Sequence, residues 1–433
     1  MGQVTVPASD AGAGVVIAIL FVGVVLMFMV LRFGRNRPGF RIGQAIGVAF
    51  VIRLLAIVAI NATGIGASLR GGDENLFLYL AQQLAAQPIN THYLPHSPDQ
   101  LHVVLFALQI KLGFINATAL RVTQTGIALL GFIFMLAATY DLAGPKTTTL
   151  AAWVLAFEPS SIFFNTEIHK EALMELGAGL AVFGGVWLWK RLDIRGILIC
   201  TLGCAICIFT RSYAGWFLAC GCVLMLLHAS LRNMARSRGA AVILVYAVVI
   251  VAAIAAPTVL SATSGSNLRQ LQRSSAQNSS GAGQEGHSNL ALEKVDLSSR
   301  SAVITSLPTK IRELLLQPYP WQVSDSAQLF GSIGTLVAYL VLLLLIRYAW
   351  LSRGHIFERA GPLLYPLLFS MLAYSVTVGN AGTGFRYRSH LVTLAICAVA
   401  VLRARVREQR AEAVADDVEQ QDLNHHEMHV LTA

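Results

Sequence analysis

Runs of about twenty apolar residues recur from one end of the chain to the other, parted by short clusters of lysine and arginine. No other feature limits the fold so strongly. A helix needs about 20 apolar residues to cross the hydrocarbon of a bilayer. Composition agrees: of 433 residues, 55% are hydrophobic and 13% charged, and the mean hydropathy is +0.62. A soluble domain carries roughly 25% charged residues. No regular repeat of solenoid length interrupts the pattern. The expected class is an all-α, polytopic integral membrane protein.

The basic clusters set the expected topology. Positions 1–11 contain no Lys or Arg, residues 12–33 are apolar, and Arg32, Arg35, Arg37 and Arg41 follow. That is the reverse of a secretory signal, which starts basic and ends in small residues. Further spans fall at 42–66, 118–142, 147–164, 172–189, 197–210, 214–231, 240–260, 327–346, 362–378 and 391–402. Counted this way, about eleven transmembrane helices place every basic cluster on one side, with the N-terminus outside and the C-terminus cytoplasmic. The clusters lack interleaved aromatics, so the net charge of +9 marks topology and no nucleic-acid partner is expected.

The pattern divides the chain into an N-terminal helix with its basic turn (1–41), a membrane core (42–260), an outer loop (261–325), C-terminal spans (326–410) and a tail (411–433) expected to be disordered. Short interfacial helices belong on the outer side. One follows Asp73 within the first outer loop, 67–100, and a second covers 101–114, too short to span. The loop 261–325 is rich in Ser, Gly, Asn and Gln in its first half, a composition that favours flexibility. Its second half reads as an amphipathic helix over 304–316, followed by an aromatic anchor, Pro318-Tyr-Pro-Trp321. Residues 379–389 form a short, glycine-rich outer loop. The six cysteines lie in apolar runs, where small-residue packing explains Cys204-Ala-Ile-Cys207 better than metal or redox chemistry.

With sides assigned, the polar residues that are not topology signals gather outside: Asp73, Glu74, His92, His96, His102, Glu158, Glu167, His169, Lys170, Glu171, Arg211, Arg386, Arg388 and His390. Ionisable groups at or in a membrane are costly and mark function unless they pair or snorkel. Glu175 and Arg53 lie deeper and need partners; Arg121 lies near an outer helix end and can snorkel. Asp73 and Glu74 open an amphipathic helix, where an acid is favoured as an N-cap or by the helix dipole. The histidines match no zinc pattern, and no phosphate-binding loop for a nucleotide is present.

The order of these features resembles the GT-C superfamily of polytopic glycosyltransferases, related to protein O-mannosyltransferases and bacterial lipid-linked-sugar transferases. The features are an outer Gly72-Asp73-Glu74 helix ending its first turns at Tyr79, an interfacial helix, Leu120-Arg121 entering the next span, a span ending Glu158-Pro-Ser-Ser-Ile-Phe-Phe164, and Thr210-Arg211. The resemblance is clearest from Arg53 to Tyr213. It implies transfer of a sugar from a polyprenyl-phosphate donor to a glycan or lipid-linked acceptor on the outer side. Asp73 would act as general base, directly or through a divalent cation such as Mg or Mn, with Glu74 in support. Arg211, Arg386 or Arg388 would hold the donor phosphate, and Glu158, His169, Lys170, Glu171, His96 and Arg53 would line the substrate site. It also implies a bacterial plasma membrane, with membrane lipids as partners.

The chemistry has its own logic, since glycosyl transfer needs a base for a hydroxyl and positive charge for a leaving phosphate. Two rivals remain. One is a polysaccharide polymerase or ligase, which also carries a large outer loop with Arg and His. The other is a flippase or transporter for a lipid-linked saccharide, which usually places its charges near the midplane between repeats.

Overall fold

The computed structural model describes residues 8–63, 73–90, 93, 99–233, 249, 299–322, 326–352, 356–379 and 381–431. Among these the chain is almost wholly helical and contains no strand. The helices are α1 (Ala8–Gly34), α2 (Gly43–Thr63), α3 (Asp73–Ala85), α4 (Leu101–Lys111), α5 (Ala117–Ala156), α6 (Pro159–Phe164), α7 (Glu171–Arg191), α8 (Ile194–Thr210), α9 (Ser212–Asn233), α10 (Arg300–Leu316), α11 (Ser326–Leu351), α12 (Ile356–Thr377) and α13 (Ala381–Leu431). Eight are long and apolar enough to cross a membrane. The protein is an all-α polytopic membrane protein.

The difference from eleven has local causes. Helix α5 is 40 residues long and holds two of the expected spans, broken where Gly144 takes φ 77° and ψ −177°. Only glycine adopts that backbone without strain, and Pro145 next to it cannot continue a helical hydrogen-bond ladder. Helix α8 has 17 residues and so reaches about 26 Å, slightly short of a bilayer core. The span expected at 240–260 and the Ser/Gly-rich half of the long loop lie outside the described residues.

The core is built around α7, which is apolar on every side and buried over nearly its whole length. It packs on α5 and α8. Glycines make this possible: a Cβ on Gly203 of α8 would meet the Gly177 carbonyl oxygen at 2.5 Å, and one on Gly184 of α7 would meet the Cys200 nitrogen at 2.4 Å. Backbones approach this closely only where side chains are absent, the usual means of packing helices in lipid. By contrast, α1 buries only a thin strip, Ala18, Val22, Leu26 and Phe33, while Phe21, Met27 and Phe28 face outward.

Two expectations are corrected. Residues 381–389 do not form a loop, because α13 starts at Ala381 and takes in Gly382, Gly384 and both arginines. The stretch 411–431 continues that helix, and its residues 411–419 are exposed. One end of the bundle gathers the features that matter below: the end of α2, the starts of α3, α4 and α5, the turn from α6 to α7, the α8–α9 junction and the start of α13.

Candidate active site

Asp73 opens α3 and Arg386 lies just inside α13, 313 positions away, with Arg386 Nη1 3.0 Å from Asp73 Oδ2. The arginine is largely enclosed, but the Asp73 side chain is 52% exposed, so the pair sits at a rim. Behind it, Arg386 Nε lies 3.9 Å from Glu171 Oε1, and the same oxygen accepts from Arg211 Nη2 at 2.8 Å. A line of alternating charge therefore runs inward: Asp73, Arg386, Glu171, Arg211. Glu171 is fully buried at the first turn of α7, where a helix N-terminus favours an acid. Arg211 sits between α8 and α9, its guanidinium 4.7 Å from the centre of the Tyr387 ring.

Aromatic hydroxyls form the floor. Tyr213 donates to the Tyr387 oxygen at 2.7 Å, and Tyr374 stacks on Tyr387 with centroids 4.6 Å apart. His390 Nε2 lies 3.3 Å from the Glu171 carbonyl oxygen and Nδ1 lies 3.1 Å from the Tyr374 hydroxyl. One tautomer satisfies both, with Nε2–H donating and Nδ1 accepting.

Glu74, next to Asp73, points elsewhere. Its Oε1 accepts from Arg121 Nε at 2.9 Å and Nη2 at 2.7 Å, and Arg121 Nη1 reaches Asn61 Oδ1 at 2.5 Å. Arg121 is thus an ion-pair partner rather than a snorkelling side chain. Burial works to raise the Glu74 carboxyl, but the Arg121 guanidinium and a hydrogen bond with Glu167 outweigh it and hold the group below its usual range.

On the other flank, the Phe77 ring lies between two imidazoles, 4.4 Å from His102 and 6.2 Å from His169, with Lys170 Nζ 5.7 Å away. Burial pushes His102 down to about 3, helped by Lys170 and Arg211, and pushes His169 down to about 4, helped by Arg386. Both rings are therefore neutral at pH 7. Burial also lowers Lys170. Neither nitrogen of either imidazole has a hydrogen-bond partner, and neither do the side-chain amides of Gln124 and Asn165, Glu171 Oε2 and Arg211 Nη1. Buried polar groups are nearly always paired in folded proteins. Several such unpaired groups, all enclosed, cluster around the 165–171 turn.

Three expected site residues lie elsewhere. Arg53 is enclosed between α2 and α6, donating to the Ala49 and Ala156 carbonyl oxygens and to Ser161 Oγ at 2.8 Å, with its guanidinium over Phe132. Glu158 is the N-cap of α6 and accepts from the Ser160 and Ser161 backbone nitrogens at 3.0 and 2.5 Å. Arg388 joins α13 to α10 and α11 through the Leu314 carbonyl oxygen at 2.9 Å, Thr335 Oγ1 at 2.7 Å and the Gln317 carbonyl oxygen. Within α13, residues two apart face away from each other, so Arg386 and Arg388 cannot form one clamp. His92 and His96 lie outside the described residues. Asp99, whose Oδ1 accepts from the Ser212 nitrogen at 2.7 Å, and the tyrosine floor carry no sequence motif that marks them.

The acids present do not fit a hard divalent cation. Such ions want several free oxygen ligands, whereas Glu74 is committed to Arg121 and Asp73 to Arg386. Among the described residues, the metal-like grouping is of three buried thiols, Cys200, Cys204 and Cys222, far along α8 and α9 from this end. Comparison with family models, curated proteins and solved structures finds no match. The fold and site together define a polytopic helical membrane protein with a buried charge relay opening at one end.

Proposed function

We propose that this protein is a membrane glycosyltransferase that moves a sugar from a polyprenyl-phosphate donor to an acceptor hydroxyl at the Asp73 end, outside the plasma membrane of a bacterial cell. The observation that carries this reading is the Asp73–Arg386 pair at 3.0 Å, an open carboxylate held against an enclosed arginine. The two groups are the base and the cation that the reaction requires.

A phosphate is a better two-pronged partner for a guanidinium than one carboxylate oxygen. Donor binding draws Arg386 from Asp73 and leaves the carboxylate free beside the acceptor. The acceptor hydroxyl gives its proton to Asp73 as its oxygen bonds to the anomeric carbon. The bond from that carbon to the phosphate oxygen breaks, and the electron pair leaves with the phosphate, facing Arg386 and Arg211. Glu171 holds both arginines in place. The unpaired groups of Gln124, Asn165, His102 and His169 suit the hydroxyls of a sugar. No step requires a metal ion.

The test is Asp73→Asn in proteoliposomes supplied with a polyprenyl-phosphate sugar labelled in the sugar. Asn is nearly isosteric with Asp and the side chain is half exposed, so folding is retained. Loss of a general base lowers transfer by about 10²–10⁴-fold. Full transfer by the folded variant overturns the reading.

A further inference from the structure

At the opposite, basic end of the bundle lies a cavity of about 400 Å³ that the proposed reaction does not use. It is walled by Arg37, Asp141, Trp187, Lys190, Arg191 and Arg195, with Asp193 at its edge. Its charges do not cancel. Asp141 is consumed by Arg37, whose Nε and Nη2 donate to its two oxygens at 3.0 and 2.7 Å. Asp193 caps α8, accepting from the Arg195 backbone nitrogen at 2.9 Å, so the cavity lining carries four cations against two acids. Lys190, an exposed residue, donates its Nζ to the Asp141 carbonyl oxygen. That leaves the exposed guanidinium groups of Arg191 and Arg195, which make no ion pair among the described residues, together with the positive end of α8.

The wall is rigid. Arg37 is held between the Phe33 and Phe183 rings, 5.2 and 5.5 Å from their centres, and Tyr140 donates to the Pro38 carbonyl oxygen at 2.7 Å beside it. Trp187 adds an indole of the kind found at headgroup level. Topology alone asks for basic residues at a helix end, but not for a preformed cavity whose lining holds four cations against two acids.

We infer that this cavity is a binding site for the phosphodiester headgroup of an anionic phospholipid in the adjoining leaflet. A basic pocket between transmembrane helices is suited to such headgroups, and the flanking helices receive the acyl chains. The inference is independent of the reaction proposed for the other end.

The experiment is native mass spectrometry of the detergent-purified protein with cardiolipin or phosphatidylcholine, and thermal unfolding with inorganic phosphate at matched ionic strength. Three proteins are compared: wild type, Arg191→Gln with Arg195→Gln, and a charge-matched control, Arg407→Gln with Arg410→Gln, on the exposed part of α13. All four arginines are surface residues, so the variants fold. Wild type and control retain cardiolipin, the pocket variant binds it at least tenfold more weakly, and phosphatidylcholine is retained by none. Equal retention by wild type and the pocket variant overturns the site. Equal loss in the control shows diffuse surface charge and also overturns it. If inorganic phosphate stabilises wild type and not the pocket variant, the cavity takes a free anion and the lipid assignment fails.

Discussion

At the scale of single residues, two arginines two positions apart have opposite roles. Arg388 is fully buried and satisfies two backbone carbonyls and a threonine hydroxyl from neighbouring helices. Arg388→Met leaves those carbonyls without donors at about 1–3 kcal/mol each. The variant is expected to melt well below wild type in detergent, with apparent donor affinity unchanged in whatever folded protein remains. Arg386→Lys keeps the charge but loses the fork. It is expected to raise the donor concentration needed for half-maximal transfer by at least tenfold with little change in melting; the converse pattern in the two variants would reverse the assignment. The imidazoles set a third expectation. His102 and His169 are pushed by burial to about 3 and about 4, below the value near 6.5 of an unfolded chain. The unfolded state therefore binds more protons as pH falls below that value. The stability these neutral rings contribute is complete above about pH 6.5 and is lost on acidification toward pH 4. Melting curves between pH 8 and pH 4 should show this decline, and His169→Gln should shallow it; an unchanged slope in that variant removes His169 as a source.

At the scale of helices, the close approach of α7 and α8 depends on glycine backbones. Gly203→Val would drive a side chain into the Gly177 carbonyl and the Ala181 nitrogen, which an added Cβ meets at 2.5 and 2.4 Å. Both are backbone atoms and neither can move aside. The expected result is loss of monodisperse protein on size-exclusion chromatography, whereas Gly12→Ala on α1, where a Cβ meets nothing within 4 Å, is silent. The elements themselves were legible from sequence because apolar runs and basic clusters report the same spacing independently. The kink of α5 was legible for the same reason, since Lys146 marks the turn that Gly144 and Pro145 make. The start of α13 was not. Three glycines in six residues favour a loop on propensity, yet two of them, Gly382 and Gly384, lie in α13, where each costs up to about 1 kcal/mol and packing of Phe385, Tyr387 and Leu391 against the core outweighs that cost. Within the site, single ionisable residues could be singled out by their expense in a membrane. Their pairings could not: Glu74 with Arg121, or Asp73 with Arg386, join positions 47 and 313 apart, and no local pattern links them. Arg53 and Glu158 stood out for the same expense, but each is consumed by backbone or hydroxyl groups nearby.

At the scale of the whole molecule, the two ends differ in chemistry. One has acids and arginines paired inward around unpaired polar groups. The other has Arg37, Lys190, Arg191, Arg195 and Arg232 at helix ends. The proposed function has the second end in the cytoplasm, the side that positive-inside bias favours for basic clusters, and the first end outside. The proposed function therefore requires one orientation, which a labelling experiment can decide. The native thiols give little background to a membrane-impermeant maleimide, because Cys200, Cys204, Cys207, Cys222 and Cys397 are buried and Cys220 is half-buried within α9. Exposed positions exist at both ends: Gln82 on α3, beside the Asp73 site, and Ala411 on the extension of α13. Neither side chain is part of the ion-paired network, so Gln82→Cys and Ala411→Cys should leave fold and transfer intact. In intact cells Gln82→Cys is expected to react and Ala411→Cys to react only after the membrane is opened. In inside-out vesicles the order reverses. Labelling of both positions from the same side would break the odd relation between the two ends. Labelling of Ala411→Cys alone in intact cells would place the Asp73 site in the cytoplasm, where soluble nucleotide sugars are available, and the polyprenyl-phosphate donor would lose its rationale.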